Sequence, residues 1–299
     1  MLEAGSWALV VHGGAKTIDE EERPAHRDGC CRAAEAGQRI LGRGGSAVDA
    51  VEAVIRVLED DPIFNAGYGS VLNDEDEVEM CSAIMEGAGL NLGGVAAVQG
   101  VRNPISVART VLGEKWTLLA GEGARRFAAR KGLELCPPGD MIARKQKAGE
   151  AAMAEHDTVG AVALDVHGLL CAGTSTGGLE GQIKGRVGDS PLPGCGLYAE
   201  NGIGAAAFSG HGEQISRALL AAKAMQVLEE ATAGAAARAS IERLERVGGE
   251  AGAIVIDRHG RIGIAHNSDH FAIAAVTSGM ARPRAGVHRR ELEDLIDHG

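Results

Sequence analysis

Two stretches of the chain, "TVGAVALDVHGLLCAG" (158–173) and "GAIVIDRHGRIGIAH" (252–266), limit the fold more than any others. Each is an apolar run, then Asp-x-His-Gly, then a second apolar run, the pattern of a tight β-hairpin. Hairpins require antiparallel neighbours, which disfavours a doubly wound parallel sheet. The echo between them is a shared local solution, too short to establish a duplicated fold. Further strands are expected at Trp7 to Val11 and in "GGVAAVQGV".

Helical patterns precede and separate the hairpins. "GGSAVDAVEAVIRVLEDDP" has Ser46 as N-cap, apolar positions at Val48, Val51, Ile55 and Leu58, and Pro62 beyond its end. Pro104 opens a helix in "NPISVARTVLGE", and "LAGEGARRFAARKG" supplies another ending at Gly132. "EQISRALLAAKAMQVLEE" and "AGAAARASIERLERVG" read as two more. The sum is an α/β chain with helices packed outside a pair of sheets. Between Cys136 and His156 the character changes to two prolines, a turn and a polar stretch, either a short helix or a flexible tether.

Composition removes several function classes. The 299 residues carry a net charge of −11 with no Lys/Arg cluster interleaved with aromatics, which argues against nucleic acid. No GxxxxGK[ST] is present, and "GSWALVVHGGA" lacks a GxGxxG turn. The six cysteines show no CxxC spacing, so a zinc ribbon or disulfide scaffold is not expected. "HNSDH" (266–270) lacks the Glu of HExxH, and the histidines read as structural. With no basic leader and no membrane-length apolar run, the expectation is a soluble cytoplasmic protein with no membrane partner.

Thr158 opens the first hairpin. As a β-branched residue starting a strand it needs no special explanation. As a nucleophile it needs a base, and an α-amino group with a pKa of about 7.7–8.0 would serve. Thr158 can own such an amine only if the chain is cut after Asp157. Downstream, "GTSTGG" places Thr174, Ser175 and Thr176 where alternate side chains share a face. "GRVGDSP" offers Arg186 for a carboxylate and Asp189 for an ammonium, the two ends of an amino-acid zwitterion. "FSGHGE" offers the Ser209 hydroxyl and the Gly210 amide as an oxyanion hole. Taken singly, a surface ion pair, cross-strand packing and ordinary turns explain these residues equally well.

Their order is informative. The chain resembles the plant-type asparaginase and isoaspartyl peptidase family of N-terminal nucleophile (Ntn) hydrolases, related to glycosylasparaginase. The likeness runs through "VVHGGA", "GGSAVDAVE", "LEDDPIFNAGYGSVLN", "SAIMEG", "TVGAVALD", "TSTGG", "GRVGDSP" and "GHGE", about nine tenths of the chain. It implies a single four-layer αββα domain over residues 1–299, self-cleaved between Asp157 and Thr158 into 1–157 and 158–299, with a tether at about 137–157. Two such pairs would form a homodimer.

The resemblance further implies Thr158 as nucleophile, its freed amine as base, and Thr176 as the supporting hydroxyl. Ser209 and Gly210 would form the oxyanion hole, with Asn65 close by. Arg186 would take the substrate α-carboxylate, and Asp189 its amino group beside Gly210 and Gly212. The chemistry requires no cofactor. A structural sodium ion is implied on backbone carbonyls of Leu58, Glu59, Asp61, Phe64, Ala66 and Tyr68. The activity implied is hydrolysis of L-asparagine and β-aspartyl dipeptides. The alternatives are a glycosylasparaginase, or an uncut scaffold or small-ligand binding protein of the same fold. Three positions depart from the family pattern: Asp157 for Gly, giving the "HDT" of glycosylasparaginases, Ser209 for Thr, and Cys81 for Asp.

Overall fold

In the computed structural model, residues 5–143 and 157–297 are described. The last part of the tether, 144–156, lies outside the described residues; its first part forms a short 3-10 turn at Pro138–Met141. The strands are β1 (Ala8–Lys16), β2 (Met80–Glu86), β3 (Leu92–Val98), β4 (Leu118–Ala120), β5 (Val159–Leu164), β6 (Leu170–Thr176), β7 (Leu197–Glu200), β8 (Gly204–Gly210), β9 (Ala251–Asp257), β10 (Ile262–His266), β11 (His270–Thr277) and β12 (Arg284–Gly286). They form an eight-stranded sheet, β12-β11-β1-β5-β6-β2-β3-β4, and a four-stranded sheet, β10-β9-β8-β7.

The helices are α1 (Arg23–Leu41), α2 (Ala47–Asp60), α3 (Pro104–Val111), α4 (Gly121–Arg130), α5 (Gly212–Ala218), α6 (Leu220–Leu228) and α7 (Ala233–Glu245). Among the described residues there are four apolar clusters, one of them around β3, α3 and α4, and strand alternation separates the other three. Leu9, Val11, Val159 and Ala161 pack outward against α1 and α2. Val10, Val162, Ala172, Ala207 and Ile254 face between the sheets. Phe208, Ala253 and Val255 pack under α5, α6 and α7. The result is the αββα layering expected.

Both hairpins form, and one device closes each. The Asp165 carboxylate accepts the His167 and Leu169 N–H groups at 2.9 and 3.0 Å, and Asp257 holds His259 and Arg261 at 2.8 and 2.9 Å. Ser46 caps α2 by accepting the Asp49 N–H at 3.1 Å. One expected helix differs, and α1 was not anticipated. The single helix expected over 213–230 breaks at Leu219, whose backbone is left-handed (φ +52°), giving α5 and α6. The longest helix, α1, has no strong apolar stripe: Gly29, Ala33, Ala36 and Gly37 form its buried face, and small residues carry little periodic signal.

Candidate active site

Sheet register assembles the site. Val159 pairs with Ser175 and Thr176 with Cys81, so one step further along β5 sets Thr158 beside Thr176 in a row that continues to Cys81. Thr158 precedes Gly160 and Val162 on the face turned to the second sheet. Ser209, two residues beyond inward-facing Ala207 on β8, meets it from that sheet. The Thr158 backbone N–H donates to Ser209 Oγ at 3.2 Å, and the Ala15 N–H donates to the same oxygen at 3.1 Å. Both lone pairs of Ser209 Oγ are thereby used, and its own proton is left to donate elsewhere.

The Thr158 hydroxyl lies 3.2 Å from the Oγ of Ser190, a turn serine in "GRVGDSP" that carries no signal in the sequence. Thr174 fixes Ser190 by donating its hydroxyl to the Ser190 carbonyl at 2.6 Å. Thr176 Oγ1 accepts the Gly178 N–H at 3.1 Å, which leaves its proton free to donate. Asn65 acts on the same turn: its side-chain N–H donates to the Gly178 carbonyl at 2.8 Å, and its carbonyl accepts the Gly177 N–H at 2.9 Å. Its side-chain oxygen is occupied by the Val71 N–H at 3.0 Å. Cys81 Sγ accepts the Ala97 N–H at 3.4 Å, and burial pushes its thiol up to about 11, so it stands neutral where an Asp would carry charge.

Arg186, Asp189 and Gly212 converge next to this row. A Cβ on Gly212 would lie 2.9 Å from both Arg186 Nη2 and Asp189 Oδ1, so glycine leaves the space between them open. Arg186 is held bidentately by Glu213, with Nε–Oε1 and Nη2–Oε2 both 2.8 Å, which shows the guanidinium already disposed to a carboxylate. Asp189 Oδ2 has no hydrogen-bond partner among the described residues, and burial raises its carboxyl to about 7 against the lowering by its own backbone and Arg186. A buried acid short of a donor is suited to an incoming ammonium. Gly210 approaches the end of β9 so closely that a Cβ would stand 2.2 Å from the Glu250 carbonyl.

Lys16 is the second contributor not singled out from sequence. Its ammonium lies 2.5 Å from the Asp157 carboxylate, whose side chain is 1% exposed. Gly14, with φ +112°, makes room, since a Cβ there would stand 1.4 Å from Asp157 Oδ1. His12 packs its ring over Gly160, and burial lowers it to about 3, keeping it neutral. His211, His266 and His270 hydrogen-bond backbone groups, and the described residues contain no group of three or more His, Cys, Asp or Glu placed to hold a metal.

The 58–69 turn packs backbone against backbone: a Cβ on Gly67 would stand 2.4 Å from the Glu59 carbonyl, and one on Gly69 1.9 Å from that of Phe64. Carbonyls of Leu58, Asp61, Phe64 and Ala66 each accept an N–H within the turn and keep a second lone pair. Such a carbonyl-rich turn fits a hard monovalent cation. The Glu59 side chain turns away from it, accepting the Ser175 hydroxyl at 2.7 Å, and Tyr68 lies beneath the Arg102 guanidinium.

A family model described as Asparaginase matches residues 5–149 and 139–283. The chain belongs to the asparaginase family. It is 42% identical over 287 residues to a Bos taurus isoaspartyl peptidase/L-asparaginase, covering 91% of this chain and 93% of the bovine protein. A plant-type L-asparaginase from Pyrococcus abyssi is 44% identical over 308 residues, covering 94% and 99%. The Mus musculus isoaspartyl peptidase/L-asparaginase is 40% identical over 307 residues, covering 97% and 94%. In this asparaginase-family chain the matched ranges include Thr158, Thr176, Arg186, Asp189 and Ser209, which the two sheets and their loops bring together.

Proposed function

We propose that this chain is a self-processing threonine amidohydrolase that converts L-asparagine to L-aspartate and ammonia and cleaves β-aspartyl dipeptides. The observation carrying the reading is the placement of Thr158: its nitrogen on Ser209 Oγ, its hydroxyl on Ser190, and Thr176 beside it. In the uncut chain Thr158 Oγ1 adds to the Asp157 carbonyl carbon, the C–N bond breaks, and the hydroxyl proton passes to the departing nitrogen. Water then hydrolyses the resulting ester, freeing the Asp157 carboxyl and the Thr158 amine.

In the cut enzyme that amine takes the Oγ proton as Oγ adds to the substrate's side-chain amide carbon. Ser209 O–H and Gly210 N–H stabilise the oxyanion. The amine returns the proton to the leaving nitrogen, and ammonia or an amino acid departs. Water, deprotonated by the same amine, releases aspartate from the β-aspartyl ester. Arg186 and Asp189 orient the substrate through its α-carboxylate and α-ammonium. No step uses a metal; sodium on the 58–69 carbonyls would stiffen the turn that carries Asn65.

The reading includes a homodimer of cleaved pairs and a cytoplasmic setting. The second is supported by six unpaired cysteines. No described helix is long and apolar enough to cross a membrane. Intact mass and N-terminal sequencing beside a Thr158→Ala control test the core claim: a fragment beginning Thr-Val-Gly-Ala, absent from the control, is expected. A single uncut, inactive chain would remove the reading. Asp157 is the feature shared with glycosylasparaginases, and turnover of a glycosyl-asparagine faster than of β-aspartyl dipeptides would move the assignment to that activity.

A further inference from the structure

Lys16 has no role in the chemistry above, yet its ammonium is aimed at the scissile junction. It reaches the Asp157 carboxylate at 2.5 Å, with the two side chains 14% and 1% exposed. Its backbone neighbour Ala15 and the nucleophile's own nitrogen share the Ser209 hydroxyl oxygen. Once the chain is cut and Asp157 withdraws, the Lys16 ammonium remains at the edge of the place Asp157 occupied.

What enters that place follows from the proton transfer. The Thr158 amine hands its proton to the leaving nitrogen of the substrate, so that nitrogen must come within hydrogen-bond reach, about 3 Å, of the Thr158 nitrogen. Before cleavage the atom on that side of the Thr158 nitrogen was the Asp157 carbonyl carbon. The leaving residue of a β-aspartyl dipeptide therefore follows the track of Asp157. Asp157 carries its carboxylate carbon three bonds from its carbonyl carbon, and a leaving amino acid carries its own two bonds from the leaving nitrogen. The difference is one bond, within the adjustment of a lysine stem.

We propose that Lys16 is a specificity-determining residue of the mature enzyme, binding the α-carboxylate of the amino acid that leaves from a β-aspartyl dipeptide. The inference rests on the proposed hydrolase reading. The ion pair with Asp157 in the uncut chain is then an internal mimic of that contact. L-asparagine releases ammonia, which has no carboxylate, so Lys16 distinguishes peptide from amide substrates.

The test uses full-length wild-type, Lys16→Met and Lys16→Arg proteins, each first shown by mass to carry the fragment starting at Thr158. Each is assayed with L-asparagine, β-aspartyl-leucine and the C-terminal amide of that dipeptide. Expected in Lys16→Met is a fall of about tenfold or more in the ratio of dipeptide to asparagine kcat/KM, carried by KM, with the ratio largely restored in Lys16→Arg. Wild type should favour the dipeptide acid over its amide by a similar factor, a comparison that stands even if Lys16→Met fails to process. Equal losses on dipeptide and asparagine, or no preference of wild type for acid over amide, would overturn the inference alone. A cleaved wild type that turns over none of the three substrates would instead remove the parent reading.

Discussion

Ser209 has the shorter of the two hydroxyl side chains that could serve at its position, and its surroundings hold it in place. The two backbone N–H groups from Ala15 and Thr158 fix the oxygen from opposite chain segments, replacing the rotamer restriction that a β-methyl would give. Ser209→Ala removes both acceptances and the oxyanion donor, so kcat should fall about 100-fold or more while KM changes little; Ser209→Thr should recover most of it in the same steady-state assay. Asp189 makes a different prediction. Burial holds its carboxyl up at about 7 in the fold, whereas the unfolded chain ionises near the ordinary aspartate value of about 3.9. Between those values the unfolded state has released a proton that the folded state retains, so stability falls as pH rises through this window. Asp189→Asn should flatten that fall in urea titrations run from about pH 4 to about pH 8, and should raise KM for asparagine because the ammonium loses its counter-charge. An unchanged pH dependence would remove Asp189 as its source. That Arg186 and Asp189 could act together was legible in "GRVGDSP", where opposite charges stand three apart, and the fold brings both beside Gly212. Ser190 and Lys16 were not, since a serine in a turn and a lysine at the end of a strand carry no signal until the fold places them against Thr158 and Asp157.

The hairpins were legible for a reason visible in their hydrogen bonds. An Asp at the end of a strand can hold the two N–H groups of its own turn, so the pattern and the structure have one cause. Asp165 does more than Asp257, because its other oxygen accepts the Ala47 N–H at 3.0 Å and ties the first turn of α2 to the β5–β6 hairpin. Asp165→Ala leaves these donors unmatched in a 1% exposed position and should cost about 2–4 kcal/mol, read as a lower urea midpoint. The measurement belongs in the uncut Thr158→Ala background, where one covalent chain unfolds. A loss below about 0.5 kcal/mol would show that water or neighbouring groups replace the carboxylate. The helix elements were less legible where their spacing signal fails. The helical pattern over 213–230 contains no Gly or Pro, and nothing in it announces that Leu219 takes a left-handed backbone; α5 and α6 both pack into the apolar cluster that holds Ala206 and Phe208 of β8.

At the scale of the molecule, the proposed cut passes through the middle of a sheet. Strands β1 to β4 precede Asp157, and β5, β6, β11 and β12 follow it. In the eight-stranded order β12-β11-β1-β5-β6-β2-β3-β4, pieces from the two sides alternate, so β11 with β1, β1 with β5, and β6 with β2 are pairings between them. The inter-sheet core is shared in the same way: Val10 and Met85 come from one side, and Val162, Ala207 and Ile254 from the other. Separating the pieces would expose these ladders and that core together, so the cut carries little thermodynamic penalty and neither piece is an independent domain. After processing, the two fragments should co-elute in native size-exclusion chromatography at the mass of the uncut protein or its dimer, and separate only in denaturant. Removal of the denaturant from an equal mixture should restore activity, whereas either fragment refolded alone should aggregate, because each would present unpaired strand edges. Fragments that part under native conditions and keep their own folded spectra would contradict the interleaved order of the sheet.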